Sequence, residues 1–144
     1  MKEGLEEYEW RWETLKGLPQ KRDFAQPLWE STIGLEGKRI LLWSEQGIGD
    51  TVKWASRISS VATQAGSCLI ECQEKVVPLL ARSFPNIEVR PENRSSDQTR
   101  DDFDFHLPLG SLYSQFLPEI LQEPKADAFL VADPVRINFW KERL

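Results

Sequence analysis

Residues 39–65 read Arg39-Ile40-Leu41-Leu42-Trp43, Ser44-Glu45-Gln46-Gly47-Ile48-Gly49-Asp50-Thr51, then VKWASRISSVATQA to Ala65. After Arg39, the next four form an unbroken apolar run, the pattern of a strand buried on both faces of a mostly parallel sheet. Gly47 and Gly49 flank one residue, which allows a tight turn where backbone amides approach a ligand closely. From Asp50 the period changes. Val52, Ala55, Ile58, Val61, Ala62 and Ala65 recur at three- and four-residue steps and mark one buried helix face. Strand, glycine turn and helix open a βαβ unit, and ligands of open α/β sheets sit at the carboxyl ends of such strands.

Working outward, residues 3–15 predict an N-terminal helix with Leu5, Tyr8, Trp12 and Leu15 on one face. Trp10 lies about 200° from both Tyr8 and Trp12. Trp12 is therefore expected to be buried and Trp10 to point away. Residues 17–33 read as irregular, so the chain divides into 1–36, a helix and connecting segment, and 37–144, a Rossmann-like α/β domain. Gly66 is expected to end the organising helix as its C′ residue. Residues 68–73 predict a second strand, 75–83 a helix, 87–89 a third strand and 103–107 a fourth. A helix or helical turn follows over 109–116. The polar stretch 91–102 lacks apolar periodicity and reads as a mobile loop. Residues 128–131 predict a short fifth strand or an extended segment, and Asp133 with Pro134 starts a last helix. The fold class is thus α/β, a three-layer sandwich with a parallel sheet of four to five strands in the order 3-2-1-4 and then the fifth.

Bulk properties narrow the function. The chain has 144 residues, 40% of them hydrophobic and 28% charged, with a net charge of −5. That charge argues against broad binding to nucleic acid or anionic membranes. No apolar run approaches the ~20 residues that span a bilayer. The acidic N-terminus lacks a signal peptide's apolar core. Cys68 and Cys72, four apart in one strand, read as buried reduced thiols. With one histidine they do not make a tetrahedral metal set, so no metal or cofactor is expected. These features point to the cytoplasm.

The candidate site residues cluster around the glycine turn. Val52 stands where G-x-G-x-x-G needs its third glycine, so the dinucleotide fingerprint is incomplete, although Glu71 or Glu74 falls where its ribose-binding acid would be. Asp50 has two uses. The commoner is to cap the helix; the other is general-base chemistry, because helix amides keep a carboxylate ionised near neutrality. Lys53 and Arg57 follow on the same side, suited to a phosphate or other acidic group, or simply solvated. Glu45 and Gln46 line either a site or a solvated turn. His106, the sole histidine, is placed at the end of the fourth strand, where neighbouring strand ends converge.

Four stretches carry a family resemblance: YEWRW at Tyr8–Trp12, LLWSEQGIGDTVKWASRI at Leu41–Ile58, FDFHLPLGSL at Phe103–Leu112 and ADPVRINFWKERL at Ala132–Leu144. The chain resembles the glycosyltransferase-like domain that follows tetratricopeptide repeats in bacterial proteins, related to the heptosyltransferases. The resemblance implies the N-terminal, acceptor-side half of a GT-B fold. Asp50 would be the base, with Glu45, Gln46, Gly47, Gly49, Lys53, Arg57 and His106 binding substrate. It also implies repeats upstream, a nucleotide-sugar donor held mainly by a further C-terminal domain, and no transfer by this half alone. Trp10 would meet the last repeat helix. Tyr113 departs from the proline common in the family. The alternative is a non-catalytic binding module of a repeat protein.

Overall fold

The computed structural model describes residues 2–14, 21–95, 97–116 and 128–144. Four parallel strands form the sheet: β1 (Arg39–Trp43), β2 (Ser67–Cys72), β3 (Glu88–Pro91) and β4 (Phe105–Pro108), in the order β3-β2-β1-β4. The predicted order holds, with β1 central. Leu41 and Leu42 are wholly buried because β1 is covered on both faces. On one face Ile40, Leu42, Ile70, Cys72 and Leu107 pack against α3 (Ile48–Ala55), α4 (Ile58–Ala62) and α5 (Val77–Ser83) through Trp54, Ala55, Ile58, Val61 and Leu80. On the other, Leu41, Trp43 and Leu69 pack against Phe24 and Phe103. The result is a Rossmann-like α/β sandwich. Its strand order reverses between β1 and β4, and the carboxyl ends of these two strands are the switch point at which open α/β sheets carry their ligand crevice.

At the N-terminus the predicted helix is two helices, α1 (Lys2–Tyr8) and α2 (Arg11–Thr14), broken at Glu9–Trp10. The break turns Arg11 into the body of the protein, where it is buried. Trp10 is 67% exposed, as expected. Trp12 is only half-buried rather than fully so, lying against Trp43 at the edge of the second core. Leu15 lies outside the described residues. Phe24 and Trp29, from the segment read as irregular, and Leu35 just after it are core residues.

Three further expectations are corrected. The organising helix is interrupted at Ser56–Arg57, where the Ser56 hydroxyl donates to the Lys53 carbonyl at 2.9 Å and competes with the helical ladder. Gly66 is no left-handed cap, since among the described residues only Gly37 has positive φ. Gly66 is needed for close approach: a Cβ there would lie 2.7 Å from the Gly37 carbonyl carbon. Residues 128–131 form no strand. The Val131 N–H donates to Ser83 Oγ at 3.0 Å and its carbonyl accepts from Arg82 Nε at 2.8 Å, so α5 side chains take the bonds a strand neighbour would.

The polar stretch 91–102 is not a freely solvated loop. It carries a 3-10 turn (Asp97–Thr99) and closes over a buried ionic cluster at the end of β2. Arg22 Nη1 donates to Glu71 Oε2 at 2.6 Å, and its other nitrogens engage Asp97. Arg100 donates to Glu71 Oε1 at 2.5 Å and grips Asp102 with two bonds of 2.9 Å. Polar composition failed as a guide here because each charge has an opposite partner, which is how charges tolerate burial.

The last helix, α6 aside (Leu112–Gln115), is α7 (Pro134–Lys141). Asp133 caps it as predicted, accepting from Val135 N at 2.9 Å and Arg136 N at 3.4 Å. None of its residues is buried, and Val135, Phe139 and Trp140 are exposed.

Candidate functional site

The crevice between β1 and β4 collects residues from three parts of the chain. Glu45 leaves the end of β1 and is buried, its side chain 3% exposed. Arg11 meets it side-on: Nε donates to Oε1 at 3.0 Å and Nη2 to Oε2 at 3.1 Å. Nη2 also donates to Ser111 Oγ at 2.9 Å, just after β4, and Nη1 to the Tyr8 carbonyl at 3.1 Å. The guanidinium lies 4.3 Å from the Tyr8 ring centroid and 4.5 Å from that of Trp12. Gly110 makes room for this arrangement, because a Cβ there would lie 2.1 Å from Glu45 Oε1. Burial raises the Glu45 carboxyl above its ordinary range, opposed by the Arg11 bonds and reinforced by Glu9 and Asp50. Burial also raises the Tyr8 phenol, with Glu45 adding to it.

The glycine turn is organised differently from the expectation. Gly47 is the N-cap of α3 in extended backbone, Gly49 lies within the first turn, and neither has positive φ. Neither glycine is needed for its dihedrals; what small size leaves at Gly49 is open space. Asp50 sits in that first turn, half-exposed, and no side chain caps the helix. Asp50 is thus not the N-cap residue, and its carboxylate, Oδ2 3.4 Å from where a Gly47 Cβ would stand, carries a charge that the macrodipole favours. Gln46 accepts a bond from Gln73 at its carbonyl, and Gln73 Oε1 accepts from Thr51 Oγ1 at 3.0 Å, tying the turn to the end of β2. The Lys53 ammonium lies 4.3 Å from the Trp54 ring, and the Arg57 guanidinium 5.6 Å from the Tyr113 ring. Trp54 and Tyr113 contact edge to face at 4.8 Å. Glu45, Gln46, Gly47, Gly49, Asp50, Lys53 and Arg57 thus follow one another along the chain from the end of β1 through α3 to the start of α4.

His106 does not join them. It pairs with Leu41 in mid-strand, two positions before the end of β1, and is 4% exposed. Its Nδ1 accepts from Trp43 Nε1 at 3.2 Å, and Phe24 lies 4.7 Å from its ring. Burial first, then Lys21 and Arg22, bring its pKa down to about 4. A neutral imidazole accepting an indole N–H is a structural group. Cys68 and Cys72 are free, and burial pushes both thiols up to about 12. Among the described residues no group of three His, Cys, Asp or Glu is placed to hold a metal, and no helix is long and apolar enough to cross a membrane.

Arg11, Ser111 and Gly110 escaped sequence reasoning. Arg11 lies 34 residues from Glu45 and 100 from Ser111, and an arginine in an acidic helix carries no local sign of burial.

Fold and crevice define a Rossmann-like α/β domain with a polar switch point. The chain is similar to Protein FlbA of Caulobacter vibrioides, 28% identical over 156 residues, which covers 99% of this chain and 26% of that protein. The chain therefore spans about a quarter of its relative's length. No family model matches, and no solved structure matches significantly.

Proposed function

We propose that the chain is the acceptor-side domain of a glycosyltransferase, half of a two-domain GT-B protein with tetratricopeptide repeats upstream. The observation that carries this reading is Asp50. Its carboxylate follows the central strand, stands half-exposed on the first turn of α3 and is not spent on capping. There it takes the proton of an acceptor hydroxyl as that oxygen attacks the donor sugar and the nucleotide diphosphate leaves. Lys53, one turn on from Asp50 in α3, and Arg57, at the break before α4, suit an acidic group of either substrate. Exposed Val135, Phe139 and Trp140 on α7 offer apolar surface to a donor-binding domain. The four resembling stretches supply the sugar chemistry, and the parallel sheet is compatible with it.

The test is transfer by the full-length protein. Wild type incubated with nucleotide-sugars is expected to turn over, Asp50→Asn to lose about 10²-fold or more, and the 144-residue chain alone to be inactive. Transfer by full-length Asp50→Asn at the wild-type rate refutes the base assignment. A second reading, a binding module without catalysis, draws on Arg11 and Tyr8 filling the crevice. Full-length wild type without turnover favours it.

A further inference from the structure

We propose that the chain associates with a second copy of itself, Trp10 of one molecule seating in the groove between α5 and α7 of the other. The groove has a volume of about 670 Å3, within the range of binding clefts. Ala132, Ile137, Trp140 and Leu144 give it an apolar lining, and the last three recur at three- and four-residue steps, on one side of the segment. Ile137 is 40% and Trp140 55% exposed, apolar surface of the kind that interfaces cover. Val135 and Phe139 lie on a different side of α7 and do not line the groove.

Charge selects the occupant. Arg136 and Lys141 stand at the groove on either side of Trp140 along the chain, and among the described residues neither makes an ion pair. Asp133 is held by the first amides of α7, and Arg82 by the Pro78 and Val131 carbonyls. Two uncommitted cations beside an apolar floor fit an apolar side chain flanked by carboxylates. This chain carries one. Trp10 is 67% exposed; its N–H donates to the Glu7 carbonyl at 3.0 Å, and its own carbonyl accepts from Glu13 N at 3.0 Å. Exposed Glu7 and Glu13 therefore stand one turn before and one turn after the indole. The contrast extends to both whole segments: residues 2–14 hold five carboxylates and two cations, residues 134–144 three cations and one carboxylate. Tryptophan is among the side chains that most often anchor an interface, and opposite charges around it fix register and speed encounter. One such contact is a small interface, so a Kd of about 10–100 μM is expected. The association involves neither sugar nor a donor-binding domain, so it stands or falls apart from the catalytic reading.

Sedimentation velocity on the purified chain between about 5 and 500 μM is the test. The sedimentation coefficient of the wild type is expected to rise with concentration, and less so in about 0.5 M sodium chloride, which screens the flanking charges. Trp10→Ala and Ile137→Asp should each stay monomeric, and both keep the fold because neither residue is buried. An equimolar mixture of these two variants should associate, since the first keeps the groove and the second keeps the indole. Arg136→Glu/Lys141→Glu should raise Kd by about tenfold or more. A wild type that stays monomeric throughout overturns the proposal. Association that persists in Trp10→Ala shows a contact made without the indole and overturns it too, as does a mixture whose components stay apart.

Discussion

Lowering the pH from 7 to 4 is expected to destabilise the protein through His106 by more than its carboxylates alone would. The imidazole is enclosed by Phe24, Trp43 and Phe103, accepts the Trp43 indole N–H and faces the cations Lys21 and Arg22, with Asp97 the opposing charge. Its pKa falls from 6.5 to about 4. A depressed folded-state pKa means the unfolded chain takes up the proton first. The contribution to stability is therefore complete above pH 6.5 and drains away as pH falls toward 4. One pKa unit corresponds to about 1.4 kcal/mol, so about 3 kcal/mol has gone at pH 4, or about 2 after relaxation of the surroundings. His106→Gln keeps an acceptor for Trp43 but cannot titrate, and so isolates this share. Urea melts of both proteins at half-unit pH steps should show wild type losing about 2–3 kcal/mol more than the variant. A direct NMR titration of the ring proton should give a midpoint near 4. Parallel pH profiles, or a midpoint at 6.5 or above, would refute the structural assignment of this histidine.

Other perturbations probe the polar clusters. Glu71→Ala leaves Arg22 and Arg100 without their shared carboxylate and is expected to cost about 3–5 kcal/mol in chemical denaturation, as breaking buried pairs does. Gly110→Ala drives a methyl into Glu45 and should cost about 1–3 kcal/mol by strain, with faster amide exchange in residues 8–14 as Arg11 loses its seat. Asp133→Ala removes the cap of α7 and should weaken that helix by about 1 kcal/mol, read by circular dichroism, with global unfolding nearly unmoved because no residue of α7 is buried.

Much of the architecture follows from periodicity. The unbroken apolar run Ile40–Trp43, short and bounded by the glycine turn, reads as a two-sided strand, and β1 is central with Leu41 and Leu42 fully buried. Three- and four-residue spacing found the helices around it, and Asp133-Pro134 announced α7 by local chemistry. Such signals lie within one element and can be read without knowing what that element touches. The stretch from Glu45 to Arg57 was legible for the same reason, as one strand end and one helix face.

Pairings across the chain could not be read this way. Arg11 and Glu45 are separated by 34 residues, Arg22 and Glu71 by 49, and in sequence each is an ordinary surface charge. Only the fold brings them together, and only burial makes the pairing obligatory, because an isolated charge cannot be left in the interior. His106 shows the converse. Its residue type and strand suggested a site, but register with Leu41 placed it two residues too early and turned it among aromatic rings. Residue type and local pattern set which elements form, while the packing of one element on another sets which charges meet, which glycine must stay small and which histidine stays neutral.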